Sequence, residues 1–174
     1  MLNGNLVSLR ALEPADLELL YKWENDSSVW LVSGTKAPYS EFVLEEFINT
    51  SKQDIYTTKQ MRLVITLNET VETIGFIDLF EFDPQHLRAG LGILIGKNEW
   101  RGKGFGTEAL NLFIQYVTKH LNMHQLYCHV QKTNTKSINL FKKAGFNISG
   151  ELNDWILDGK KWENVYILQR ISAD

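Results

Sequence analysis

The sequence has little cysteine, little proline and no long apolar run. Its single cysteine, Cys128, excludes an internal disulfide and is typical of a reducing compartment, so we expect a cytoplasmic protein. The first ten residues, MLNGNLVSLR, contain no continuous apolar stretch, so no signal peptide is expected. No segment approaches the roughly 20 apolar residues of a membrane-spanning helix, so we also expect no membrane partner.

Excess basic charge and metal-ligand spacings are missing as well. The formal net charge of −3 argues against nucleic-acid binding, which requires a basic domain. The four histidines lack the spacing of a metal site, so no metal is expected. With 174 residues and no linker or repeat, the chain is expected to form one domain, residues 1–174.

Hydrophobic periodicity predicts a mixed α/β fold class. Strands are predicted at residues 5–10, 61–67, 73–82, 91–95, 125–130, 152–157 and 162–168. Helices are predicted at residues 14–23, after Ser40, and at residues 104–121 and 134–143. Residues 91–130 run strand–helix–strand, so these two strands should be parallel, whereas the hairpins are antiparallel. We therefore expect a mixed central sheet flanked by helices.

The segment EWRGKGFGTEAL, residues 99–110, places three glycines in five positions before the strongest helix pattern. The first N–H groups of a helix lack intrahelical acceptors and lie at its positive end, which favours an anion. Glycines at 102, 104 and 106 let a phosphate approach the main chain, and Arg101 and Lys103 add positive charge. A permissive surface turn is the alternative interpretation of the glycines alone.

Two common phosphate-binding loops do not fit this segment. A Walker A loop requires Ser or Thr after Gly-Lys, but Gly102-Lys103 is followed by Gly104. The dinucleotide fingerprint requires a third glycine at position 107, which is Thr107. Both types of loop are therefore excluded.

Charge is distributed unevenly along the chain. Residues 131–146 contain four lysines and no acid, whereas three acids lie together in residues 78–83. One region is therefore suited to an anion and the other to a cation, although two solvated surfaces are the alternative. The residues concerned are Lys132, Lys136, Lys142, Lys143, Asp78, Glu81 and Asp83.

The glycine segment resembles the pyrophosphate loop of the GCN5-related N-acetyltransferase (GNAT) family. Its pattern [QR]-x-x-G-x-[GA] is present as Arg101-Gly102-Lys103-Gly104-Phe105-Gly106. One strand later, Asn134-x-x-Ser137-x-x-x-Phe141-x-x-x-Gly145-Phe146 resembles the ribosomal-protein-alanine acetyltransferase branch. LRALEPADL near the start and GELNDWILDGKKWENVYIL near the end are similar to bacterial spermidine N-acetyltransferases. The resemblance covers nearly the whole chain. It implies a GNAT-like fold with two splayed parallel strands and an acetyl-CoA-dependent N-acetyltransferase.

The resemblance also implies which residues bind acetyl-CoA. Main-chain groups of residues 93–95 would pair with the pantetheine arm, and an N–H there would polarise the thioester carbonyl. Residues 101–107 would hold the pyrophosphate. Asn134 would bond the cofactor arm, act as a helix N-cap, or do both. The full implied set is Ile93, Leu94, Ile95, Arg101, Gly102, Lys103, Gly104, Phe105, Gly106, Thr107, Asn134, Ser137, Phe141 and Lys143.

Direct acyl transfer requires a neutral amine, so a general base is expected. Family members often carry it on the strand before the cofactor strand, where this chain has Asp78 and Glu81. Residues three apart on a strand face opposite sides, so we expect one of them in the cleft and favour Glu81. Exposed surface charge is the alternative. Glu151 and Glu163 on the closing hairpin are weaker candidates.

The chain departs from the family at two places. Many members have Tyr where this chain has Phe141, which cannot donate a proton to the leaving thiolate. Ser137, one turn earlier, is the expected substitute, and a helix-surface serine is the alternative. Spermidine enzymes also carry two acids in the loop before the second helix, where this chain has residues SGTK at 33–36.

The acceptor is therefore left open between a small-molecule polyamine and a peptide N-terminus. A catalytically weak acyl-CoA sensor is the rival function. A homodimer or larger assembly is a further expectation, because family members often form one.

Overall fold

Residues 1–172, the part of the chain that the structure describes, form one mixed sheet of eight strands with helices against both faces. The structure is a computed structural model, and for Leu31 and Val32 it describes the backbone alone. The strands are β1 (Leu2–Asn3), β2 (Val7–Ala11), β3 (Met61–Leu67), β4 (Thr73–Asp83), β5 (Arg88–Ile95), β6 (Gln125–Gln131), β7 (Asn147–Asp158) and β8 (Lys161–Ile171).

The strands lie in the order β1-β2-β3-β4-β5-β6-β8-β7. β5 and β6 form the parallel pair, and the other neighbours are antiparallel. β7 lies at one edge of the sheet, where its register against β8 shifts twice, between Ile148 and Gly150 and between Leu152 and Ile156. The predicted mixed sheet with a parallel strand–helix–strand step is confirmed.

Helices lie against both faces of the sheet. They are α1 (Leu17–Glu24), α2 (Ser27–Ser33), α3 (Glu41–Thr50), α4 (Ile55–Thr58), α5 (Phe105–Lys119) and α6 (Thr135–Lys143). α5 buries an apolar stripe against one face, comprising Ala109, Leu110, Phe113, Ile114 and Val117. α1 lies on the other face, where the Trp23 ring meets Phe76 of β4 at 5.1 Å between centroids. None of the helices in residues 1–172 has the length and apolar character needed to cross a bilayer.

Arg62 of β3 joins the helices of this second face to the sheet. Its Nε and Nη2 donate to the two carboxylate oxygens of Asp78 at 2.6 and 2.9 Å, and its Nη1 donates to Glu24 of α1. The rings of Phe47 and Phe76 each lie 5.3 Å from the guanidinium carbon. Burial opposes the charge, but the two carboxylates outweigh it and raise the pKa of Arg62, so the guanidinium stays charged.

Several element boundaries differ from the sequence prediction. The helix expected at residues 14–23 begins as a 3-10 turn, Pro14–Asp16, before α1. β5 begins at Arg88, three residues before its expected start, and β7 at Asn147, five residues before its own. α2 and α4 were not predicted, because segments of seven and four residues are too short to show helical periodicity.

Removing the Arg62 guanidinium should destabilise the fold strongly. Arg62→Ala leaves two poorly exposed carboxylates without their counter-charge, which should lower the free energy of unfolding by about 3–5 kcal/mol. Urea denaturation measures the change. Glu72→Ala is the control, because this carboxylate meets Lys97 at 3.5 Å on the exposed surface and should contribute less than about 1 kcal/mol. Equal losses in the two variants would contradict the central role of Arg62.

Candidate active site

The candidate active site lies where β5 and β6 separate. The two strands pair through three residues at their start, ending at Gly90 and Tyr127. β5 remains paired with β4 as far as Ile95, and β6 with β8 as far as Gln131. In the described chain, the facing edges of residues 91–95 and 128–131 therefore have no ladder partner. Such edges are suited to an extended ligand that carries amide groups.

The glycine segment forms the N-terminus of α5 beside this gap. Gly104 is the N-cap residue with φ 90°, and Gly102 has φ 77°, both in the left-handed region that favours glycine. Within the described residues, the backbone N–H groups of residues 102–107 have no acceptor in the protein. Phe105 and Thr107 lie in the first turn of the 15-residue helix. The loop therefore has the free backbone donors that the predicted pyrophosphate contact requires, and the contact itself stays a prediction.

The Arg101 side chain forms hydrogen bonds within and beside this loop. Its Nε and Nη2 donate to the Ile95 carbonyl at 3.1 and 2.8 Å, and its Nη1 donates to Asn98 at 2.9 Å. The Ile95 carbonyl, one of the main-chain groups implied for the cofactor arm, is thus already engaged by Arg101. Lys103 is exposed and, among the described residues, forms no ion pair, so it is the freer cation of the two.

Glu108 lies in the first turn of α5, where a free carboxylate would oppose a bound phosphate. Its oxygens instead accept the backbone N–H groups of Asn5, Leu6 and Val7 at 2.9, 2.7 and 2.8 Å. These three donors compensate its charge and attach α5 to the start of β2. The anion site at the helix terminus therefore keeps its positive character.

Side chains of β5 divide between the two faces of the sheet. A Cβ atom built on Gly106 would lie 3.7 Å from Ile95 and 3.9 Å from Ile93, so these two side chains face α5. Leu94, between them, points to the opposite face. Main-chain groups of this segment border the gap, as the predicted contact with the pantetheine arm requires.

The start of α6 borders the other side of the gap. The Asn134 side chain caps α6 by accepting the Ser137 N–H at 3.1 Å, so the expected capping role is present. The Ser137 side chain is half-buried and, in the described chain, its hydroxyl has no protein partner. Leu140 contacts the start of α5, 3.9 Å from a Cβ built on Gly106. Lys136 and Lys143 lie one helical turn either side of Leu140, so they add positive charge near the loop.

Phe141 is a buried residue of the core. It is 3% exposed and its ring meets that of Phe146 edge-on at 5.1 Å. A hydroxyl is absent from this position, and the surrounding space is filled by apolar packing. The predicted contact between Phe141 and the cofactor stays a prediction.

The two candidate bases of β4 have different surroundings. Asp78 accepts from Arg62 with both oxygens, so its charge is already paired. Glu81 lies in a bulge, where the register between β4 and β5 shifts between Phe80 and Asp83. Its φ of 50° costs about 1–2 kcal/mol for a residue with a Cβ atom. Glu81 accepts a hydrogen bond from the Tyr127 hydroxyl of β6.

The bulge corrects the expectation that Asp78 and Glu81 face opposite sides. Gly92 of β5 pairs with Asp78, and a Cβ built on it would contact both Asp78 and Phe80, so these two side chains share a face. The Phe80 ring meets the Tyr127 ring at 6.3 Å, which places Tyr127 there too. Because the extra residue breaks the alternation of the strand, Glu81 reaches the same face.

A cavity of about 780 Å³ lies on this face, next to Glu81 and Tyr127. Its wall also includes Lys59, Asp83, Arg88 and Gln169. Asp83 and Arg88 form an ion pair at 3.2 Å. The cavity therefore lies on the face opposite α5 and α6, beside the paired start of β5 and β6.

Other nucleophiles and acids near the gap are engaged or buried. Cys128 is 2% exposed, and burial raises the pKa of its thiol to about 12, so it stays protonated and unreactive near neutrality. Glu151 accepts from Lys132 at 2.8 Å and from Asn164 at 2.7 Å. Glu163 accepts from the Thr133 hydroxyl at 2.7 Å. The described residues contain no cluster of three or more His, Cys, Asp or Glu side chains suited to a metal ion.

Tyr127 is a residue of the candidate site that the sequence did not predict. A signal was present, because polar residues 125, 127 and 129 alternate with buried apolar residues along β6. The alternation places Tyr127 on the face opposite the core side chains Leu126 and Cys128. Its contact with Glu81, 46 residues away, has no signature in a single sequence.

Comparison with known proteins agrees with this geometry. The family model described as "Acetyltransferase (GNAT) domain" matches residues 7–147. The chain is 32% identical over 164 residues to a spermidine N(1)-acetyltransferase of Escherichia coli K12, covering 92% of this chain and 83% of that protein. It is 31% identical over 170 residues to a spermidine N(1)-acetyltransferase of Vibrio cholerae, covering 94% and 93%. The crystal structure of a Vibrio cholerae spermidine N-acetyltransferase with CoA and spermine superposes with a TM-score of 0.83 at 28% identity, covering 95% of each chain.

The chain belongs to the acetyltransferase (GNAT) domain family, as its loop and element order predicted. It is an N-acetyltransferase that uses acetyl-CoA as acetyl donor and a primary amine as acceptor. The predicted fold and enzyme class are therefore confirmed. The individual residues that perform the reaction remain predictions.

One added methyl group should test the role of Gly104 in the loop. Gly104→Ala places a Cβ at φ 90°, and the strain should shift the loop amides and weaken acetyl-CoA binding about tenfold. Gly150→Ala is the matched control, because Gly150 lies on β7 outside the loop and its Cβ would meet an ordinary contact with Ile167 at 3.8 Å. Its affinity should change less than about threefold. Calorimetric titration with acetyl-CoA measures both, and equal affinities would refute the assigned role of the Gly104 backbone.

Proposed function

We propose that the protein acetylates a polyamine, with Glu81 as the base that accepts the amine's proton. The observation that carries this proposal is the Glu81 carboxylate, held by Tyr127 where β5 and β6 separate. Relatives named spermidine N(1)-acetyltransferase, and a related structure with CoA and spermine, support the acceptor class. We further propose that residues 1–174 form one domain and that it acts in the cytoplasm.

Proton removal is the first requirement of this reaction. An alkyl amine of the lysine type has a pKa of about 10.4, so neutralising it near pH 7.4 costs about 4 kcal/mol. An α-amine, with a pKa of about 7.8, needs far less assistance. A dedicated carboxylate is therefore more necessary for a polyamine than for a peptide N-terminus, and Glu81 supplies one beside the cavity.

The charges of the cavity favour Glu81 over its neighbours as the group that meets the amine. Asp83 is paired with Arg88, and Asp78 is paired with Arg62. Glu81 accepts from Tyr127 through Oε2, and in the described chain no protein donor reaches its Oε1. One carboxylate oxygen is thus available to an ammonium group, directly or through a water molecule.

Acetyl-CoA, when bound, supplies the acetyl group as a thioester. The loop amides of residues 102–107, with Lys103, Lys136 and Lys143 nearby, would hold its phosphates. The open edges of β5 and β6 would bind its pantetheine arm. Ser137 is the candidate proton donor for the leaving thiolate, because its hydroxyl borders the gap without a protein partner. A thiol pKa of about 8.5 makes this donor less critical than the base.

Acceptor choice is tested by thiol release from acetyl-CoA with a panel of amines. We expect spermidine and spermine to give higher kcat/KM values than peptides with free N-termini. A monoamine of similar length is the control for the contribution of the additional charges. Faster acetylation of the peptides would assign the alternative acceptor, and tight acetyl-CoA binding without acceptor-dependent thiol release would indicate a sensor.

Neutralising the proposed base should impair turnover. Glu81→Gln keeps the size of the side chain but removes its basicity, so kcat with spermidine should fall about 100-fold or more near pH 7.4. The affinity for acetyl-CoA should remain close to that of the unmodified protein. Steady-state kinetics and calorimetry measure the two effects, and unchanged kcat would exclude Glu81 as the base.

Two further variants control for the other candidates. Asp78→Asn should chiefly lower the stability, because Arg62 loses a charged partner that it contacts twice.

Ser137→Ala should lower kcat more than it weakens acetyl-CoA binding. Full activity of the Ser137 variant would remove this residue from the mechanism.

A further inference from the structure

Tyr127 packs against two neighbouring rings beside Glu81. Its ring lies edge-on to Phe80 at 6.3 Å and 5.8 Å from the ring of His129. Phe80 in turn lies against Gly90, where an added Cβ would come within 2.2 Å of the Phe80 ring. The position of the Tyr127 hydroxyl is therefore set by the packing of β4, β5 and β6.

The backbone of Glu81 shows that its own position is also constrained. A left-handed residue within a β-bulge re-aims its side chain away from the regular alternation of the strand. The re-aimed carboxylate meets the Tyr127 hydroxyl on the face that carries the cavity. The bulge in β4 and the Tyr127 hydroxyl of β6 therefore both position the Glu81 carboxylate.

We infer that Tyr127 is a positioning residue that fixes one oxygen of Glu81 and directs the other towards the acceptor amine. The inference rests on the proposed function, because it assigns Tyr127 a role that acts through the proposed base. Tyr127 donates to Oε2, which leaves Oε1 as the proton acceptor. No bond to the substrate is assigned to Tyr127 itself.

The ionisation of Tyr127 agrees with this role. Burial, together with the hydrogen bond to Glu81, raises the pKa of Tyr127 well above its usual value. The phenol therefore stays protonated and donates throughout the working pH range. The other charged groups that line the cavity are Lys59 and the Asp83–Arg88 ion pair, and His129 lies beside the Tyr127 ring.

Tyr127→Phe tests the inference, because it removes the hydroxyl and keeps the ring. We expect kcat with spermidine to fall about tenfold, which corresponds to the loss of one hydrogen bond to a charged group. KM for acetyl-CoA should change less than about twofold, since the loop and the gap are untouched. Tyr116→Phe is the matched control, because its ring stacks on Phe113 of α5 on the opposite face. That variant should retain kcat.

The double variant Glu81→Gln/Tyr127→Phe separates positioning from independent action. If Tyr127 acts through Glu81, the second substitution should cause no further loss of kcat in the Glu81→Gln background. A further tenfold loss there would overturn the inference, as would unchanged kcat in Tyr127→Phe alone. Low activity of Glu81→Gln with full activity of Tyr127→Phe would support Glu81 as the base and overturn the positioning role of Tyr127. Full activity of Glu81→Gln would remove the base and the positioning role together.

A shorter carboxylate provides a second route if the Tyr127 variant does not fold. Glu81→Asp keeps the basic group but withdraws it from the Tyr127 hydroxyl by one methylene. We expect a similar loss of kcat, about tenfold, with unchanged binding of acetyl-CoA. Full activity of this variant would show that the contact is dispensable and would overturn the inference.

Discussion

The structure depends on the early separation of β5 and β6. Three residue pairs join the strands and set their alignment, and beyond Gly90 and Tyr127 each strand is held from its outer side alone. A continuous sheet would satisfy these backbone groups internally and leave no place for an amide-bearing ligand. Antiparallel pairing with β4 and β8 keeps the two strands extended despite the missing ladder. The gap therefore depends on β4 and β8, which hold β5 and β6 in place from their outer sides.

The two faces of the sheet carry different parts of the candidate site around this gap. On one face, the start of α5 and the capped start of α6 place unpaired amides and lysines near one another, with Glu108 engaged by the N–H groups of residues 5–7. On the other face, the helices anchored by Arg62 cover β3 and β4 and leave the cavity open beside Glu81. The proposed sites of the acetyl donor and of the acceptor thus lie on opposite sides of the sheet. Tyr127 stands where the two approaches meet, at the last paired residue of β6.

Much of the fold was predictable because its signals are local. Strand alternation, the glycine loop before α5 and the Asn134 cap each involve residues within one turn or one strand. The departures arise from contacts between distant residues. Arg62 meets Glu24 and Asp78 at separations of 38 and 16 residues. The bulge at Glu81 carries no glycine or asparagine that would indicate a left-handed backbone, so alternation wrongly placed its side chain on the face opposite Asp78.

The ends of the sheet have a consequence for the behaviour of the protein at high concentration. An open sheet presents backbone donors and acceptors at its outermost strands, and a second molecule can add a strand there. β1 has two residues, too few for such an addition. β7 has twelve, but its two register shifts and the left-handed Asp154, whose N–H is bound by the Asn164 side chain, interrupt any straight template. The irregular hairpin thereby protects the exposed edge against uncontrolled aggregation.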